Sequence, residues 1–468
     1  MSAQTSMTEG PILKKLILYT LPIIATSVLQ LLFNAADLAI VGSYRGSLYM
    51  GAVGATSSIT NLIINLFMGL SIGAGVSVAR SIGERSDKEV SHTVHTAIPV
   101  AVICGIVLTA IGVLFAGTFL KWMSTPDTTL PLATTYMRIY FCGMTFSLIY
   151  NYGASILRAA GDTKGPLIML TISGILNVIF NVVFVAGFGM NVDGVAYATV
   201  ISQAFSAFMV LYLLMKRTDS CHLELKKLRI HKKSLSEILR IGLPAGFQNS
   251  LFAISNVLIQ SSINSFGEIV LNGSSAAANL EGFAYVVMNG FQQTALNYCG
   301  QNSGAGYYDR VAKIIKYCVV CVFIAGLLAS LLLNVLSAPL LRIYINDSEE
   351  AIACGQTRLL WVNSLYFLCG VLEVVVGCTR GMGASLSPMI ITVFGVCIMR
   401  IVWIFTIFQI ERFHTIECLF ASYPISWLLT LIMQSVLLAR VFRKQKKEYE
   451  ERSNSEFGMR NAELHENA

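Results

Sequence analysis

The chain has 468 residues, of which 55% are hydrophobic and only 13% charged, with a formal net charge of +7 and a mean hydropathy of +0.66. Soluble domains average about 25% charged residues, so a water-soluble protein of this length is excluded. The positive balance sits in short loops between apolar runs, where it suits anionic lipid and leaves nucleic-acid binding without support.

Apolar runs of about 20 residues, enough to cross a hydrocarbon core of roughly 30 Å, recur along the whole length. Twelve spans are predicted, near 13–42, 52–82, 92–119, 133–159, 164–189, 193–216, 237–265, 273–302, 310–337, 355–381, 386–410 and 415–442. Each is a helix, because a continuous apolar run must satisfy its backbone within itself, whereas barrel strands would alternate. The expected fold is an all-α polytopic membrane protein with twelve transmembrane helices in two pseudo-symmetric six-helix lobes. Residues 1–12 form an N-terminal segment, 13–216 the N-lobe, 217–236 a basic linker, 237–442 the C-lobe and 443–468 a charged tail, disordered beyond a short helical extension. No cleavable signal precedes the first span, which is expected to start insertion itself.

Charge then orients the spans. Of 33 Lys and Arg residues, 26 fall on the side of the N-terminus, six on the other side, and one, Arg400, within a span. By the positive-inside rule both termini are expected in the cytoplasm, for a multi-pass protein of the inner (plasma) membrane. The eleven cysteines are scattered, mostly within spans, which argues against a disulfide framework. Cys318-Val-Val-Cys321 lies in an apolar helix, and His92-Thr-Val-His95 has no acid or cysteine cluster beside it. Neither is read as a metal site, and headgroup or water contact suits the histidines. No nucleotide loop, metal cluster or nucleophile constellation is evident, so an enzyme is not expected. A channel would show a selectivity filter or a ring of like charge, and neither is visible.

The chain repeats itself. Pro22 and Pro244, Asn34 and Asn256, Arg158 and Arg380, Gly161 and Gly383, and Pro166 and Pro388 are each 222 residues apart. An even helix count gives both copies the same orientation, related by an axis along the membrane normal. Two like lobes around a cleft suit a transporter that rocks. Gly69-x-x-x-Gly73, Gly300-x-x-x-Gly304 and Gly377-x-x-x-Gly381 put small residues on one helix face, where backbones can approach closely. Pro22 and Pro244 lie near span starts, where a proline either kinks the helix or begins its regular part.

Five motifs make the assignment specific: "LPIIATSVLQLLFNAADLAIVG", "ILRAAGDTKGP", "NGFQQTALNYCGQNSGAG", "TRGMGASLSP" and "YPISW". Together, and in order over about residues 12–442, they resemble the multidrug and toxic compound extrusion (MATE) family, closest to its NorM-like and MepA-like bacterial members. The resemblance implies a secondary antiporter that exports cationic, amphipathic drugs or toxic metabolites in exchange for H⁺ or Na⁺, working as a monomer without a cofactor. A lipid-linked saccharide flippase of the same superfamily is the alternative, and it would predict more helices or a cationic cavity.

Only Asp37, Glu281 and Glu373 are acids well inside spans. A midspan carboxylate costs about 2.5–3.5 kcal/mol, so each needs water, an ion or a partner and reads as functional. Gln30, Asn34 and Asp37 share one helix face at i, i+4 and i+7, while Asn177 and Asn181 lie one turn apart in span five. The resemblance gives Asp37 the role of a proton- or cation-responsive site in the N-lobe, with Asn151, Asn177 and Asn181 around it. The chain departs from the DinF-like branch, which has an aspartate where Asn181 stands, and from NorM-like sodium exporters, which carry an acid in span seven. These departures count against a two-carboxylate proton site and leave the chain between the two patterns; H⁺ is the preferred ion at Asp37, with Na⁺ near Asp37 or Glu281 the other reading. In the C-lobe, Arg400 is expected to pair with Glu373, leaving Glu281 to meet a cation. Phe33, Tyr150, Tyr285, Met288 and Tyr366 are candidate cleft walls.

Overall fold

The computed structural model describes residues 7–123, 125–345 and 348–466, with side chains described as far as residue 455. All twelve expected spans form, and no strand occurs among the described residues. The first lobe contains α1 (Ile12–Arg45), α2 (Ser47–Gly83) and α3 (Asp87–Trp122), then a fourth span broken at Gly143 into α4 (Leu130–Cys142) and α5 (Met144–Ala159). Its fifth span, α6 (Lys164–Asn181), runs into a π-helical turn at Val182–Gly187, and α7 (Val192–Met215) ends the lobe. The second lobe follows the same plan with α8 (Lys232–Asn264), α9 (Glu268–Gly304), α10 (Tyr308–Val335) and a short α11 (Ser337–Leu341). Its tenth span is α12 (Glu349–Val362) with α13 (Tyr366–Gly381). The eleventh is α14 (Leu386–Thr392), a π-helical turn at Val393–Ile398 and α15 (Met399–Phe405); the twelfth is α16 (Ile416–Glu466).

The repeat is written into the backbone as well as the sequence. Gly46 and Gly267 turn the chain between helices at φ 94° and 95°, and Gly161 and Gly383 do so at 90° and 88°. A side chain is strained there, so glycine recurs at both copies. Among the described residues, nine spans are long and apolar enough to cross a membrane by length and composition. The three that fall short are α4 with α5, α8 and α9. The last two carry Gln248, Asn249, Asn256, Gln260, Asn289, Gln292, Gln293 and Asn297, which line the space between the lobes. Their polarity reflects an aqueous face.

The lobes touch over the half of the molecule that carries the basic loops. A Cβ on Gly69 would lie 2.2 Å from the Gly246 nitrogen, one on Gly73 2.3 Å from the Ile238 carbonyl, and one on Gly83 2.0 Å from the Gln301 carbonyl. Helix α2 therefore rests backbone-to-backbone on α8 and α9, which is the close approach that small residues permit in lipid. Gly69→Ala is expected to destabilise this closed form by about 1–3 kcal/mol, as overpacking does. Spin labels at positions 88 and 309, on basic-end loops of opposite lobes, should report longer distances in that variant. Unchanged distances would show that this contact does not hold the basic end shut.

The first helix of each repeat changes partners along its length. Ile12, Leu16, Tyr19 and Ile23 of α1 pack in the core of the second lobe, whereas Val41 packs in the core of the first. Near the crossing, the Thr20 and Thr294 hydroxyls are 2.8 Å apart, and the Tyr19 and Tyr298 rings meet edge to face at 5.3 Å. In mirror fashion, Ile238 near the start of α8 joins the first lobe's core. Pro22 and Pro244 both lie well inside their helices, so neither begins one. Each removes a backbone donor close to where its helix passes from one lobe to the other.

Two local readings change. His95 Nδ1 lies 2.7 Å from the Ser91 carbonyl and so donates, while its Nε2 accepts the Glu224 amide at 3.1 Å. The Thr96 hydroxyl accepts from His231 N–H at 3.0 Å, and His92 stacks on His231. His95, buried, thus fastens the linker to α3, while His92 is half-buried against His231. Helix α16 also runs on to Glu466, through the tail that composition marks as disordered. Lys444–Glu448, Lys446–Glu450 and Lys447–Glu451 pairs, each at i, i+4, support it.

Candidate functional site

Two polar centres occupy the lobes, and they are distinct. The first is Asp37, on the half of α1 that packs in its own lobe, where it is 9% exposed. Asn181 Nδ2 donates to Asp37 Oδ1 at 2.5 Å and also lies 3.3 Å from Asn177 Oδ1. The Thr199 hydroxyl of α7 stands 3.5 Å from Asp37 Oδ2 but 3.0 Å from the Val195 carbonyl. A hydroxyl has one hydrogen, so when Thr199 bonds back to its own helix, Oδ2 is left without a donor. Asn181 Oδ1 is buried with no partner. Among the described residues, no Lys, Arg or His forms a salt bridge with Asp37. The π-helical turn begins directly after Asn181, and Arg45 braces it by donating to the Val185 and Met190 carbonyls at 2.8 and 2.9 Å. Single π turns often mark functional positions in helices.

The structure brings together Asp37, Asn177 and Asn181, and adds Thr199. The other expected neighbours lie elsewhere. Gln30, two turns from Asp37, is exposed and lines the space between the lobes; Asn34 is exposed as well. Asn151 lines that space too and bonds the Ser147 carbonyl of its own helix at 2.7 Å. The shared face of α1 is covered only at the level of Asp37.

The second centre is a cavity of about 760 Å³ between the lobes. It runs from exposed Gln30 and half-buried Gln260 down to Gln248, Ile72 and Leu296, where the lobes close. Its charged lining is Arg158, Glu281, Arg358, Glu373, Arg380 and Arg400. Arg358 grips Glu281 with two bonds of 2.9 Å and donates a third to the Ser274 hydroxyl at 2.9 Å. Gln292 donates to Glu373, and Arg380 donates to Gln248 Oε1 at 2.7 Å. Arg158 donates to the Gln293 side-chain carbonyl and to the Ala154 carbonyl. Arg400 donates to the Ser426 hydroxyl at 2.9 Å and lies over the Tyr423 ring at 4.2 Å, with Trp427 beyond at 5.7 Å.

The expected pair of Arg400 with Glu373 does not form, and Glu281 is not free. Arg358 takes Glu281 instead. The sequence places Arg358 at the outer end of a span starting near 355, but α12 begins at Glu349, which sets Arg358 about 14 Å along the helix. Of the aromatic candidates, Tyr285 and Tyr366 line the cavity. Tyr150 and Met288 are in the lobe cores, and Phe33 packs against Gly174. Sequence reasoning also passed over Arg380 and Arg158, counted as loop charges, and Thr199. The signal that could have found the wall is the amide run of α9, in which Asn289, Gln293 and Asn297 recur every four residues.

Comparison with known proteins agrees with this architecture. The MatE family model matches residues 22–183 and 244–406, two stretches that start one repeat apart. The probable multidrug resistance protein YpnP of Bacillus subtilis (strain 168) is 27% identical over 393 residues, covering 84% of this chain and 88% of that protein. A solved structure described as the outward-facing conformation of a multidrug resistance MATE family transporter of the MOP superfamily superposes with a TM-score of 0.88 at 20% identity, over 96% of this chain and 99% of that one. A second, of a MOP superfamily transporter from Pyrococcus furiosus Vc1 (DSM3638), gives a TM-score of 0.88 at 20% identity over 95% of this chain and 99% of that one; its description reads "reverse polarity of binding pocket suggests different function". The chain belongs to the MatE family and is a multi-pass membrane transporter of the multidrug and toxic compound extrusion type.

Proposed function

We propose that this chain is a secondary active exporter that exchanges an amphipathic small molecule for H⁺ by alternating access. The observation that carries the exchange is Asp37: a carboxylate buried in the span region, outside the cavity, with one amide donor and, among the described residues, no cationic partner. A buried carboxylate in that state calls for a cation, and a proton is the one that needs no coordination shell. Na⁺ is the alternative ion, supported by the unused Asn181 Oδ1 beside Asp37. Helix α1 links the two centres. Its upper half holds Asp37 against α6, its middle lines the cavity with Ile23, Thr26, Ser27 and Gln30, and its first half is stitched to α9. Pro22 lies between these parts, so a change at Asp37 that re-angles the upper half also moves the cavity wall and the closed end.

The 26-to-6 charge asymmetry supports a plasma-membrane protein with both ends in the cytoplasm, and the cavity then opens outward. One chain holds both lobes and both centres, which supports a working monomer. The multidrug name of the relative supports a broad range of loads. The organic-cation load expected from the sequence rests on three buried acids facing one arginine. The cavity wall carries four arginines and two glutamates, so the charge of the load is argued below. That surplus also favours, as a second reading, a lipid-linked saccharide flippase.

The test is dye movement in proteoliposomes of the full chain under a pH gradient alone, then a Na⁺ gradient alone, with ethidium and carboxyfluorescein as cationic and anionic loads. Movement driven by the pH gradient is expected. Movement driven only by Na⁺ would replace the ion, and gradient-independent scrambling would favour the flippase.

A further inference from the structure

The cavity wall holds positive charge that nothing on the protein cancels. Arg358 and Glu281 form a closed, bidentate pair and together contribute no net charge. What remains is Arg158, Arg380 and Arg400 against Glu373, whose bonded partner is an amide. Arg400 is 2% exposed, and its Nη2 has no hydrogen-bond partner. The Tyr423 ring at 4.2 Å offsets part of its charge, as an aromatic face does for a cation, but a ring accepts no fork of hydrogen bonds. Arg380, also 2% exposed, spends one nitrogen on Gln248 and leaves Nε without a partner.

A guanidinium held out of water with unused donors is costly unless an anion completes it. Its planar fork matches phosphate and carboxylate oxygens in pairs. Tyr285, Tyr366 and Trp427 stand on the same wall and offer flat apolar contact for the rest of a ligand. We infer that the transported molecule carries an oxyanion group, phosphate foremost, on an apolar body, and that Arg400 receives that group while Arg380 adds positive charge to the same cavity wall. This rests on the exporter reading only in taking the cavity as the load site. It reverses the charge expected of the load.

The same chemistry could come from a soluble organic phosphate or from a phospholipid headgroup. The experiment is calorimetric titration of the purified full chain with three ligands that share one ring: 2-naphthyl phosphate, 2-naphthol and 2-naphthyltrimethylammonium. The phosphate is expected to bind at least about tenfold more tightly than the other two, the scale of one charged bidentate contact. Arg400→Gln should remove that advantage. Equal binding of all three, tighter binding of the cation, or naphthyl phosphate binding that survives both Arg400→Gln and Arg380→Gln would overturn the inference. The wild-type ranking needs no variant, so it stands even if a substitution at these buried sites prevents folding. Displacement of naphthyl phosphate by lysophosphatidic acid alone assigns the lipid source, and displacement by phenyl phosphate alone assigns the soluble one. If naphthyl phosphate binds but no gradient moves it, the exporter reading fails and the charge of the load stands. If only ethidium moves on a gradient, the charge assignment fails and the exporter stands.

Discussion

Asp37→Asn is expected to reduce gradient-driven transport at least about tenfold while leaving the fold intact, because a transporter whose ion cannot load has no differential affinity to shift its states. The substitution is nearly isosteric. Asn181 can still donate to the side-chain carbonyl at position 37, and the new amide nitrogen can donate to the Thr199 hydroxyl that now lies 3.5 Å from Oδ2. An ionised carboxylate buried without a cation is costly, so its removal should hold or raise thermal stability. Thermal denaturation in detergent distinguishes the roles. Loss of transport with stability retained fits an ion site, whereas a loss of more than about 2 kcal/mol would make Asp37 a structural group. Thr199→Val, which removes the weaker contact, should act in the same direction and by less.

The second large effect is at the Glu281–Arg358 pair, and it concerns stability. Glu281→Gln alone is expected to cost about 3–5 kcal/mol, because it strands a buried guanidinium that now makes two 2.9 Å bonds to the carboxylate. Arg358→Met alone should cost a similar amount by stranding Glu281. The double variant should cost clearly less than the sum of the two single losses, since no uncompensated charge is left behind. Thermal or denaturant unfolding of the four proteins gives the cycle. Additive losses would mean that the pair is not the unit seen here. If the pair is structural, the double variant should also still transport, which separates Glu281 from the ion site.

How far the sequence reaches is uneven, for physical reasons. The twelve spans follow from hydrocarbon thickness, and the repeat follows from glycines and prolines that backbone geometry demands twice, as at Gly46 and Gly267. The Asp37 cluster is legible because an acid within an apolar run must find partners, and Asn177 and Asn181 supply them one turn apart. Arg358 is hidden by a helix that begins nine residues before it. Arg158 and Arg380 are hidden because they end spans in sequence yet fold back to line the cavity. Counting acids against arginines by span therefore gave the wrong balance for the wall. Nor can an apolar face announce its neighbour: Leu16 and Ile23 serve the other lobe's core, and nothing in their side chains says so.

In the proposed mechanism one ion moves against one load, through two centres joined by α1. Full-chain proteoliposomes enclosing a pH-sensitive dye test it directly when they are given a gradient of a transported load and no ion gradient. The predicted result is that load entering down its gradient raises lumenal pH, because each exchange carries H⁺ out, in wild type and not in Asp37→Asn. Load that crosses with no lumenal pH change in wild type would contradict proton exchange at Asp37.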